Sequence, residues 1–597
     1  MRSVLACLMA VTCGDALQAL PALRARSRPL RSAPAAANGD VVIGIDVGTG
    51  SARAGVFSLC GAALGTSTRV ITTWEYRDDF VEQSSQDIWQ AVCAATRQAL
   101  SESGCAAESV KAVAFDATCS LVVVDGGDEP VSVTAAGEPR ETGDCVRNVI
   151  VWMDHRATPQ AAFINGLGHR ALRTVGGTIS PEMEMPKVLW LKEELPSQFA
   201  KAAKLFDLPD WLSYRATGDA TRSLCSMVCK WNLQADDSSA GWDESFLEAL
   251  GLTEDWQRLD VGSQFGAPGD RLGGGLTTAA AAELGLCAGT AVAVGMIDAH
   301  AGGLGCVGGS LEEEGDDAPS LGARLAIIAG TSACHMASCS SPLEVPGVWG
   351  PYYGAMVPGA YLHEGGQTAA GQLLDFCVGG AFYSAAAHEL AESSEKCGES
   401  KYAVLNGLLD SQAARRGFGD VAYLARDVHV DPDFFGNRAP LADPTRRGGV
   451  VGLRLSENTQ DLAALYLAAV QALAYQTRHI AETLTDAGHE PFLRISLTGG
   501  LAKNPLFVKT LADALGVPVA LPRETEAVLL GAAVLAATAA RAYDGVASAM
   551  QGMTATNKLV RPDPCPKLRK FHDAKYAAFR ALQQAQTEAN RLMANAE

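Results

Sequence analysis

The residues best suited to chemistry lie near the start of the chain, in the segment 41–53. An apolar run from Val41 ends on an acid and then enters a turn of glycines, hydroxyls and one cation: Asp46, Gly48, Thr49, Gly50, Ser51 and Arg53. Glycines let a backbone approach a phosphate closely, and the exposed amides and hydroxyls then act as donors. The alternative is an ordinary hairpin turn. The acid favours a nucleotide-phosphate cradle, with Asp46 holding Mg²⁺ beside the phosphates.

The same plan recurs in the second half of the chain. An apolar run from Leu325 leads into Gly330, Thr331 and Ser332. One such turn is weak evidence, but two turns, one in each half, predict a clamp that grips a nucleotide from both sides of a cleft.

A third glycine turn follows an apolar strand that ends at Thr498. Gly499 and Gly500 can let a flat ring lie against the backbone, and Asn504 can donate a hydrogen bond or cap the next helix. Adenine binding is the functional interpretation. A simple strand-to-helix turn explains this segment equally well.

One isolated acid, Asp298, ends the apolar strand near the boundary between the two halves. A carboxylate facing a cleft there can take a proton from a substrate hydroxyl during phosphoryl transfer, so Asp298 is the predicted general base. The competing role is a cap on the following helix. His300, two residues further on, is interpreted as structural.

Two more stretches carry side chains suited to a polyol. The first, 115–120, is a polar turn between apolar strands and contains Thr118 and Cys119. In the second, 151–156, Trp152 offers a face for C–H groups and Asp154 can accept hydrogen bonds from hydroxyls. Core packing and a surface ion pair are the alternatives.

These segments must be positioned by two large units. A first block is predicted over 41–305 and a second over 324–560, with an acidic linker or surface insertion at 306–323 between them. Amphipathic helices are predicted over 86–100, 461–486, 506–515, 527–540 and 567–594. The last of these, within 561–597, is expected to cap the second block, and an interaction helix is the minority interpretation.

Composition narrows the class of partner. The 597 residues include 67 Asp and Glu against 48 Lys and Arg, which argues against nucleic acid and anionic membranes as main partners. The 16 cysteines are scattered, many within apolar runs, as is typical of reduced thiols. Cys225 and Cys229 can share a helix face, but no second pair or histidine cluster completes a zinc site, so metal binding there is not expected. The sequence leaves open whether the chain forms a homo-oligomer.

The first forty residues differ from the rest. Arg2 precedes an apolar stretch, and the acid-free tract 16–38 contains Arg24, Arg26, Arg28 and Arg31. This pattern predicts a disordered organelle-targeting leader, plastid or mitochondrial, over 1–40. The alternative is a disordered extension that carries no targeting signal, on a cytoplasmic protein.

The motifs, in this order, resemble the FGGY family of carbohydrate kinases. The cradle, W-M-D-H-R, G-M-I-D-A-H, G-T-S and T-G-G-L-A-K-N-P are all in register, and the resemblance covers 41 to about 560. It implies an α/β fold of two actin-like ATPase (ribonuclease H-like) domains with an interdomain cleft. The runs F-D-A-T-C-S-L-V-V-V and G-G-T-I-S-P-E-M-E-M-P-K are similar to the D-ribulokinase branch, which phosphorylates D-ribulose with MgATP.

The resemblance also assigns residues. It implies Asp46 for Mg²⁺ and both Gly-Thr turns for the ATP phosphates. For adenosine it implies Gly500, Asn504 and Gln372, and for the sugar Thr118, Cys119, Trp152, Glu182, Asp298 and His335. Another ketose or polyol (xylulose, L-ribulose or ribitol) and a catalytically silent sugar or ATP sensor remain alternatives.

Overall fold

The computed structural model of the protein describes residues 39–77, 79–142, 145–311 and 318–594. The predicted leader over 1–40 lies outside these ranges except for its last two residues, and so do residues 312–317 of the predicted acidic linker. Among the described residues, no helix combines the length and the apolar character needed to cross a bilayer.

The first half of the chain alternates strands and helices. Its strands are β1 (Val41–Val47), β2 (Ser51–Ser58), β3 (Ala63–Val70), β4 (Trp74–Tyr76), β5 (Phe80–Gln83), β6 (Val110–Ala117), β7 (Leu121–Val124), β8 (Glu141–Thr142), β9 (Cys145–Val146), β10 (Val149–Ile150), β11 (Lys204–Asp207), β12 (Arg222–Ser223), β13 (Gln234–Ala235), β14 (Ala240–Gly241), β15 (Phe265–Gly266), β16 (Ala291–Val292) and β17 (Met296–Ile297). Its helices are α1 (Ser85–Ser103), α2 (Thr158–Gly166), α3 (Glu184–Glu194), α4 (Pro196–Phe199), α5 (Leu208–Thr217), α6 (Leu224–Lys230), α7 (Glu244–Ala249), α8 (Thr253–Arg258), α9 (Thr278–Leu284) and α10 (Asp298–Val307).

The second half repeats this mixed composition. Its strands are β18 (Arg324–Ala329), β19 (Ala333–Cys339), β20 (Trp349–Tyr353), β21 (Tyr361–Gln367), β22 (His429–Asp431), β23 (Gly449–Val451), β24 (Arg494–Thr498), β25 (Val519–Pro522) and β26 (Thr556–Val560). Its helices are α11 (Gly371–Val378), α12 (Ser384–Cys397), α13 (Lys401–Arg416), α14 (Thr459–Asp486), α15 (Pro505–Leu515), α16 (Ala527–Ala539), α17 (Val546–Met553) and α18 (Pro566–Ala594).

The main sheet of the first half has the strand order β16-β6-β1-β2-β3, and β17 also pairs with β6. β1 is parallel to β6 and antiparallel to β2. All seven residues of β1 are buried, as expected for a central strand covered on both faces. The apolar run that ends at Asp46 is therefore the centre of this sheet.

The second large sheet has the order β20-β21-β19-β18-β24-β25-β26. Its central strand β18 is parallel to β24 and antiparallel to β19, as β1 is to β6 and β2. The C-terminal helix α18 packs on α14 and α15, and it buries Tyr576 and Phe579 in the core of this half.

Two helices pack closely where the halves meet. α16 belongs to the second half by sequence, yet it packs on α10 and on strands β1 and β6 of the first sheet. A Cβ added at Gly305 would collide with the Ala527 carbonyl, and one at Gly531 would collide with the Ala301 carbonyl. Glycine at these positions lets the two backbones touch, so α10 and α16 hold the two sheets against each other.

Candidate active site

Three carboxylates lie together at the carboxyl ends of adjacent strands in the first sheet. The β1–β6 register pairs Asp46 with Asp116, and the β17–β6 register pairs Met296 with Asp116. Asp298 follows β17 directly as the first residue of α10. Asp46 and Asp116 are fully buried, whereas Asp298 is partly exposed. Parallel strands thus bring three acids that are distant in the chain to one edge of a sheet.

Crowding and burial raise the pKa values of these acids. Burial, with the charges of Asp46 and Asp298, raises the pKa of Asp116 well above its ordinary value. Burial also raises the pKa of Asp46, although the Arg53 guanidinium opposes that shift. Burial and the Asp46 charge raise the pKa of Asp298 to about 7, against a hydrogen bond of 2.6 Å that its Oδ1 accepts from the Ala299 amide. Such a cluster of acids is suited to binding a cation.

Arg53 connects the acids to the second half of the chain. It lies opposite Asp46 in the β1–β2 register and forms an ion pair with that carboxylate. Its Nη1 is also 3.2 Å from Oε2 of Glu526, the residue that precedes α16. The guanidinium is one-third exposed. It therefore offers donors to an anion entering from solvent.

The first predicted phosphate turn is a tight connection between β1 and β2. The Gly48 amide donates to the Ser51 carbonyl at 3.0 Å. Trp152 donates its indole Nε1–H to the Thr49 hydroxyl at 3.0 Å, which ties the predicted sugar-binding segment to this turn. Gly50 is exposed at the tip, and a Cβ there would meet nothing within 4 Å.

The second predicted phosphate turn connects β18 to β19 and is one residue shorter than the first. The Gly330 amide donates to the Ser332 carbonyl at 2.8 Å. The start of α11 closes on this turn, because the Gly371 amide donates to Gly330 O at 3.0 Å and the Gln372 amide donates to Thr331 O at 3.2 Å. The Gln372 backbone thus lies beside the turn, and its side chain is exposed.

The paired glycines after β24 lie next to this second turn. Gly499 has a φ of +91°, and a Cβ there would come within 2.5 Å of the Ala329 carbonyl, the residue before Gly330. Gly500 is exposed, and nothing lies within 4 Å of a Cβ built on it. Since β18 and β24 are parallel neighbours, both glycine turns open at the same edge of the second sheet.

A buried ion pair joins the two halves near the acids. Lys230 ends α6 in the first half, and its Nζ is 3.8 Å from Oε2 of Glu364 on β21. The same ammonium lies 4.6 Å from the ring centroid of Trp349 on β20. Burial alone would lower the pKa of Lys230, but Glu364 and other neighbours raise it well above its ordinary value. Lys230 is therefore a permanent cation in the wall between the halves.

A second ion pair also crosses between the halves. Glu182 Oε2 is 3.5 Å from Nη2 of Arg438, and Glu182 Oε1 is 3.7 Å from Nε2 of His155. Burial would raise the pKa of Glu182, but Arg438 and His155 lower it to about 2. Glu182 is thus ionised and lies next to residues from both halves.

Thr118 and Cys119 extend the polar wall from the end of β6. The Thr118 and Ser120 hydroxyls are 3.1 Å apart. Cys119 is buried, and burial raises the pKa of its thiol while the charge of Lys230 opposes that shift. The predicted sugar-side residues Thr118, Cys119, Trp152 and Glu182 thus belong to the region that surrounds Asp298 and Lys230.

Comparison with known proteins identifies the family. A model of the N-terminal domain of FGGY carbohydrate kinases matches residues 41–305, and a model of their C-terminal domain matches residues 325–540. The chain belongs to the FGGY family of carbohydrate kinases. The resemblance inferred from the sequence motifs is confirmed.

Curated relatives of this FGGY kinase match over nearly its whole length. The FGGY carbohydrate kinase domain-containing proteins of Xenopus laevis and Homo sapiens are each 46% identical to it, over 92% of this chain and 98% and 96% of their own lengths. A D-ribulokinase of Saccharomyces cerevisiae is 38% identical, over 84% of this chain and 72% of its own length.

Solved structures confirm the fold class. A ligand-bound xylulose kinase from Lactobacillus acidophilus superposes with a TM-score of 0.73 at 18% identity, over 92% of this chain and 98% of its own. Plasmodium falciparum glycerol kinase with ADP gives a TM-score of 0.69 at 15% identity, over 91% and 98%. The predicted actin-like ATPase fold is therefore correct.

The structure does not bring Asp154 into the sugar-side region. Its Oδ2 accepts from the Val81 amide at 2.7 Å, and both oxygens accept from Nε of Arg156 at 2.9 Å. Arg156 in turn contacts Glu82, and all three charged side chains are buried. Asp154 is committed to an internal ion-pair network, which corrects the prediction that it accepts sugar hydroxyls.

His335 and Asn504 also have other partners. His335 is buried, and its Nε2 is 2.9 Å from the Thr477 hydroxyl on α14, on the far face of β19 from Cys334. This corrects its assignment to the sugar. The Asn504 side chain donates to the Tyr466 hydroxyl at 2.7 Å and accepts from the Leu506 amide as the cap of α15. The capping alternative thus describes this side chain better than an adenosine contact.

Sequence reasoning missed several charged residues of the site. Asp116 ends an apolar strand as Asp46 does, and that parallel was the available signal. Lys230 is the one charged residue of α6, and Glu364 is the one acid of β21, which also contains His363 and Gln367. A charge in such an element needs a partner when it is buried. Nothing in the sequence pairs them, because they are more than one hundred residues apart. No sequence feature indicated that Arg438 belongs to the site.

Proposed function

We propose that this FGGY kinase transfers the γ-phosphoryl group of MgATP to a pentulose, converting D-ribulose to D-ribulose 5-phosphate. The observation that carries the proposal is the setting of Asp298. This carboxylate is partly exposed and close enough to Asp46, Arg53 and Lys230 to be affected by all three charges. It therefore stands between groups suited to phosphate and groups suited to a polyol.

The polar wall around Asp298 supports a sugar as acceptor. Lys230 and Arg438 offer donors, and Glu364 and Glu182 offer acceptors, from both halves of the chain. A polyol, whose hydroxyls both donate and accept, satisfies such an alternating set better than an apolar or a uniformly charged ligand. The choice of D-ribulose rests on the yeast relative that bears the name D-ribulokinase and on the motif resemblance.

Asp298 is the proposed general base. Its hydrogen bond from the Ala299 amide fixes the carboxylate at the start of α10. A pKa of about 7 leaves it largely able to accept a proton just above neutrality while keeping it more basic than an ordinary carboxylate. Asp298 would accept the proton of the sugar hydroxyl as that oxygen attacks the γ-phosphorus, and the phosphoryl group would leave ADP.

The residues fit the divalent metal that FGGY kinases generally use. Both oxygens of Asp116 are buried and find no hydrogen-bond donor among the described residues. Asp46 lies beside them, so the two carboxylates form an oxygen-rich, anionic site of the kind Mg²⁺ prefers. When bound, Mg²⁺ would neutralise charge on the phosphates. We assign its retention to Asp46 and Asp116.

The two glycine turns would hold ATP. Backbone amides and hydroxyls of Gly48–Ser51 and Gly330–Ser332 would donate to the phosphates, with Arg53 adding charge. Gly500 has open space beside the second turn, where an adenine ring can lie against backbone without meeting a side chain, and Gly499 allows the close approach to Ala329. Positioning and charge stabilisation by these groups would supply most of the rate enhancement.

We also propose that residues 1–40 direct the protein to an organelle. A fluorescent protein fused after residue 40 should then enter a plastid or mitochondrion. A diffuse cytoplasmic signal from that fusion would contradict the proposal.

The deciding experiment for substrate is ADP release by protein lacking residues 1–40, with MgATP and a panel of sugars. The panel contains D-ribulose, D-xylulose, L-ribulose, ribitol and glycerol. We expect kcat/KM to be highest for D-ribulose. A different preferred sugar would keep the kinase and change the substrate, whereas ATP binding without turnover on any sugar would favour a sensor.

Two variants test the sugar-side region within the same assay. Lys230→Met and Glu364→Gln remove the charges of one cross-half pair while preserving side-chain length. We expect each to raise KM for the sugar about tenfold to hundredfold with less change in KM for ATP. Equal changes in both KM values would mean that the pair acts on the packing of the halves and does not contact the sugar.

A further inference from the structure

Three potential metal ligands lie together in the second half, outside the site described above. Cys339 ends β19, His363 lies in β21, and His489 lies in the turn after α14. One ligand atom from each residue lies within 4.8 Å of the other two, and Sγ of Cys339 is 3.7 Å from Nδ1 of His363. The separation of Sγ and Nδ1 is close to that of two atoms that share a tetrahedral ion with bonds of about 2.0–2.3 Å.

Backbone carbonyls orient both imidazoles. Nε2 of His363 is 2.6 Å from the Leu343 carbonyl, so this nitrogen carries the proton and Nδ1 presents its lone pair toward Cys339. Nδ1 of His489 is 2.9 Å from the Glu490 carbonyl. His363 gives one ring N–H to a carbonyl and turns its other nitrogen toward Cys339, which is the arrangement found around histidines that bind metals.

The second nitrogen of His489 has no satisfactory partner as a neutral ring. Its Nε2 faces the Ser338 carbonyl at 3.2 Å, on the strand residue just before Cys339. A neutral imidazole has a single N–H, so it cannot donate to both the Ser338 and the Glu490 carbonyls. With Nδ1–H given to the closer carbonyl, the Nε2 lone pair points at an oxygen. A cation on that lone pair, either a proton or a metal ion, would resolve the conflict.

We propose that Cys339, His363 and His489 bind a zinc ion in the second half of the chain. One thiolate and two imidazoles form the nitrogen and sulfur set that zinc prefers, and water would complete a tetrahedral site. Binding forms a Zn–S bond, breaks the hydrogen bond of 2.9 Å that the Cys339 thiol donates to the Ser341 carbonyl, and releases the Cys339 proton to solvent. The ion would fasten β19 and β21 to the turn after α14, and the partial exposure of Cys339 gives it a path in.

A second cluster serves as an internal comparison. The structure brings His300 to Cys225 and Cys229, with Sγ of Cys229 3.5 Å from Nε2 of His300, a contact that the sequence spacing did not indicate. All three residues are fully buried, and His300 lies 3.9 Å from Glu364 in the wall of the proposed sugar-binding region. It offers no entry for an ion, so we assign zinc to the cluster that contains Cys339.

The test is zinc binding by the full chain after treatment with EDTA. Competition with a chromophoric chelator gives affinity, mass spectrometry of the metal gives stoichiometry, and cobalt substitution reports a thiolate ligand by its charge-transfer absorption. We expect one tightly bound zinc per chain and a higher melting temperature with zinc. Cys339→Ser and His363→Gln should each weaken binding more than about 100-fold and abolish the cobalt–thiolate band or reduce it.

Matched thiol variants make the result specific. Cys397→Ser removes an exposed thiol at the end of α12, and Cys225→Ser removes a thiol of the buried cluster; both should bind zinc as the unaltered chain does. Circular dichroism of each zinc-free variant establishes that it is folded. The proposal is overturned if the unaltered chain binds no zinc, if Cys339→Ser binds it equally, or if only Cys225→Ser loses it.

Discussion

The two strand-turn-strand units of this FGGY kinase share one backbone plan but differ in charge. β1 runs parallel to β6 and turns through Gly48–Ser51 into β2, while β18 runs parallel to β24 and turns through Gly330–Ser332 into β19. In both, the first glycine amide donates to the carbonyl of the residue that ends the turn. Each turn is therefore closed by its own first amide, and its remaining amides and hydroxyls are the proposed donors to an anion.

The side chains at matching register positions are quite different. In the first unit Asp46 pairs with Asp116 across the parallel strands, whereas in the second unit Ile328 pairs with Thr498. Opposite Asp46 on the antiparallel neighbour stands Arg53, whereas Cys334 stands opposite Ile328. We propose that one fold motif here supports two chemical tasks. The first unit would supply charge for the metal and the base, and the second would supply backbone and space for the nucleotide.

The largest expected effect comes from removing Asp298, the proposed general base, which lies in the first half. Asp298→Asn keeps the shape of the side chain but cannot accept a proton, so we expect kcat to fall about 10²–10⁴-fold. The dissociation constant for ATP should change little, because the phosphate turns are intact. Steady-state kinetics and nucleotide titration measure both. Near-normal turnover of Asp298→Asn would show that Asp298 is not the general base. The proposed assignment of Asp46 and Asp116 to the metal and of Asp298 to proton transfer would then be wrong.

A smaller but still large effect is expected at the register pair that distinguishes the units. Asp116→Asn removes one proposed Mg²⁺ ligand and should raise the Mg²⁺ concentration for half-maximal activity about tenfold to hundredfold. Thr498→Val is the matched change in the second unit and should leave that concentration within a few-fold of its original value. Magnesium titrations at saturating ATP and sugar compare them. Equal sensitivity of the two variants would mean that both units hold the metal.

Local patterns accounted for much of what the sequence could predict. The helices expected over 461–486, 506–515 and 527–540 are confirmed as Thr459–Asp486, Pro505–Leu515 and Ala527–Ala539. Their apolar periodicity lies within the segment itself. The acid at the end of β1 and the glycine turns were found for the same reason, since each signal spans only a few residues.

The errors and omissions came from long-range contacts. Lys230 with Glu364, and Glu182 with Arg438, meet only because the two halves face each other. His335 was assigned to the wrong side of β19, because alternation turns it toward α14 while Cys334 faces the other way. Likewise, α16 packs on the first sheet although its sequence follows the second. The order of residues along the chain does not show which distant residues come into contact in the folded protein.

The second unit's reliance on backbone space can be tested at its glycines. Gly499 has a positive φ and a close carbonyl, whereas Gly500 has open space around it. Gly499→Ala should destabilise the fold by about 1–3 kcal/mol and raise KM for ATP several-fold. Gly500→Ala should retain the stability of the unaltered chain. Thermal melting measures the stability of both variants, and ATP titration measures their KM for ATP. Equal stability would show that the fold does not depend on the close approach of Gly499 to the Ala329 carbonyl.

The smallest expected effect is on the pH dependence of stability. It arises because the acids of the first half lie close together. Asp298 has a pKa of about 7 when folded, against an ordinary value of 3.8. Between about pH 4 and about pH 7 the folded chain therefore retains a proton that the unfolded chain loses, so stability falls as pH rises through this window. Asp298→Asn carries no such proton and should gain a few degrees in melting temperature over the unaltered chain as pH rises.

Melting curves in EDTA without nucleotide, from about pH 5 to about pH 8, measure that difference. Asp573→Asn in the second half is the control, because Arg478 and Arg569 already lower the pKa of Asp573 and its titration is complete below this range. The difference in melting temperature between Asp573→Asn and the unaltered chain should stay constant with pH. If the difference in melting temperature between Asp298→Asn and the unaltered chain is also constant, then Asp298 is ionised over the whole range. The three acids of the first unit would then not repel one another, and this contrast with the second unit would be lost.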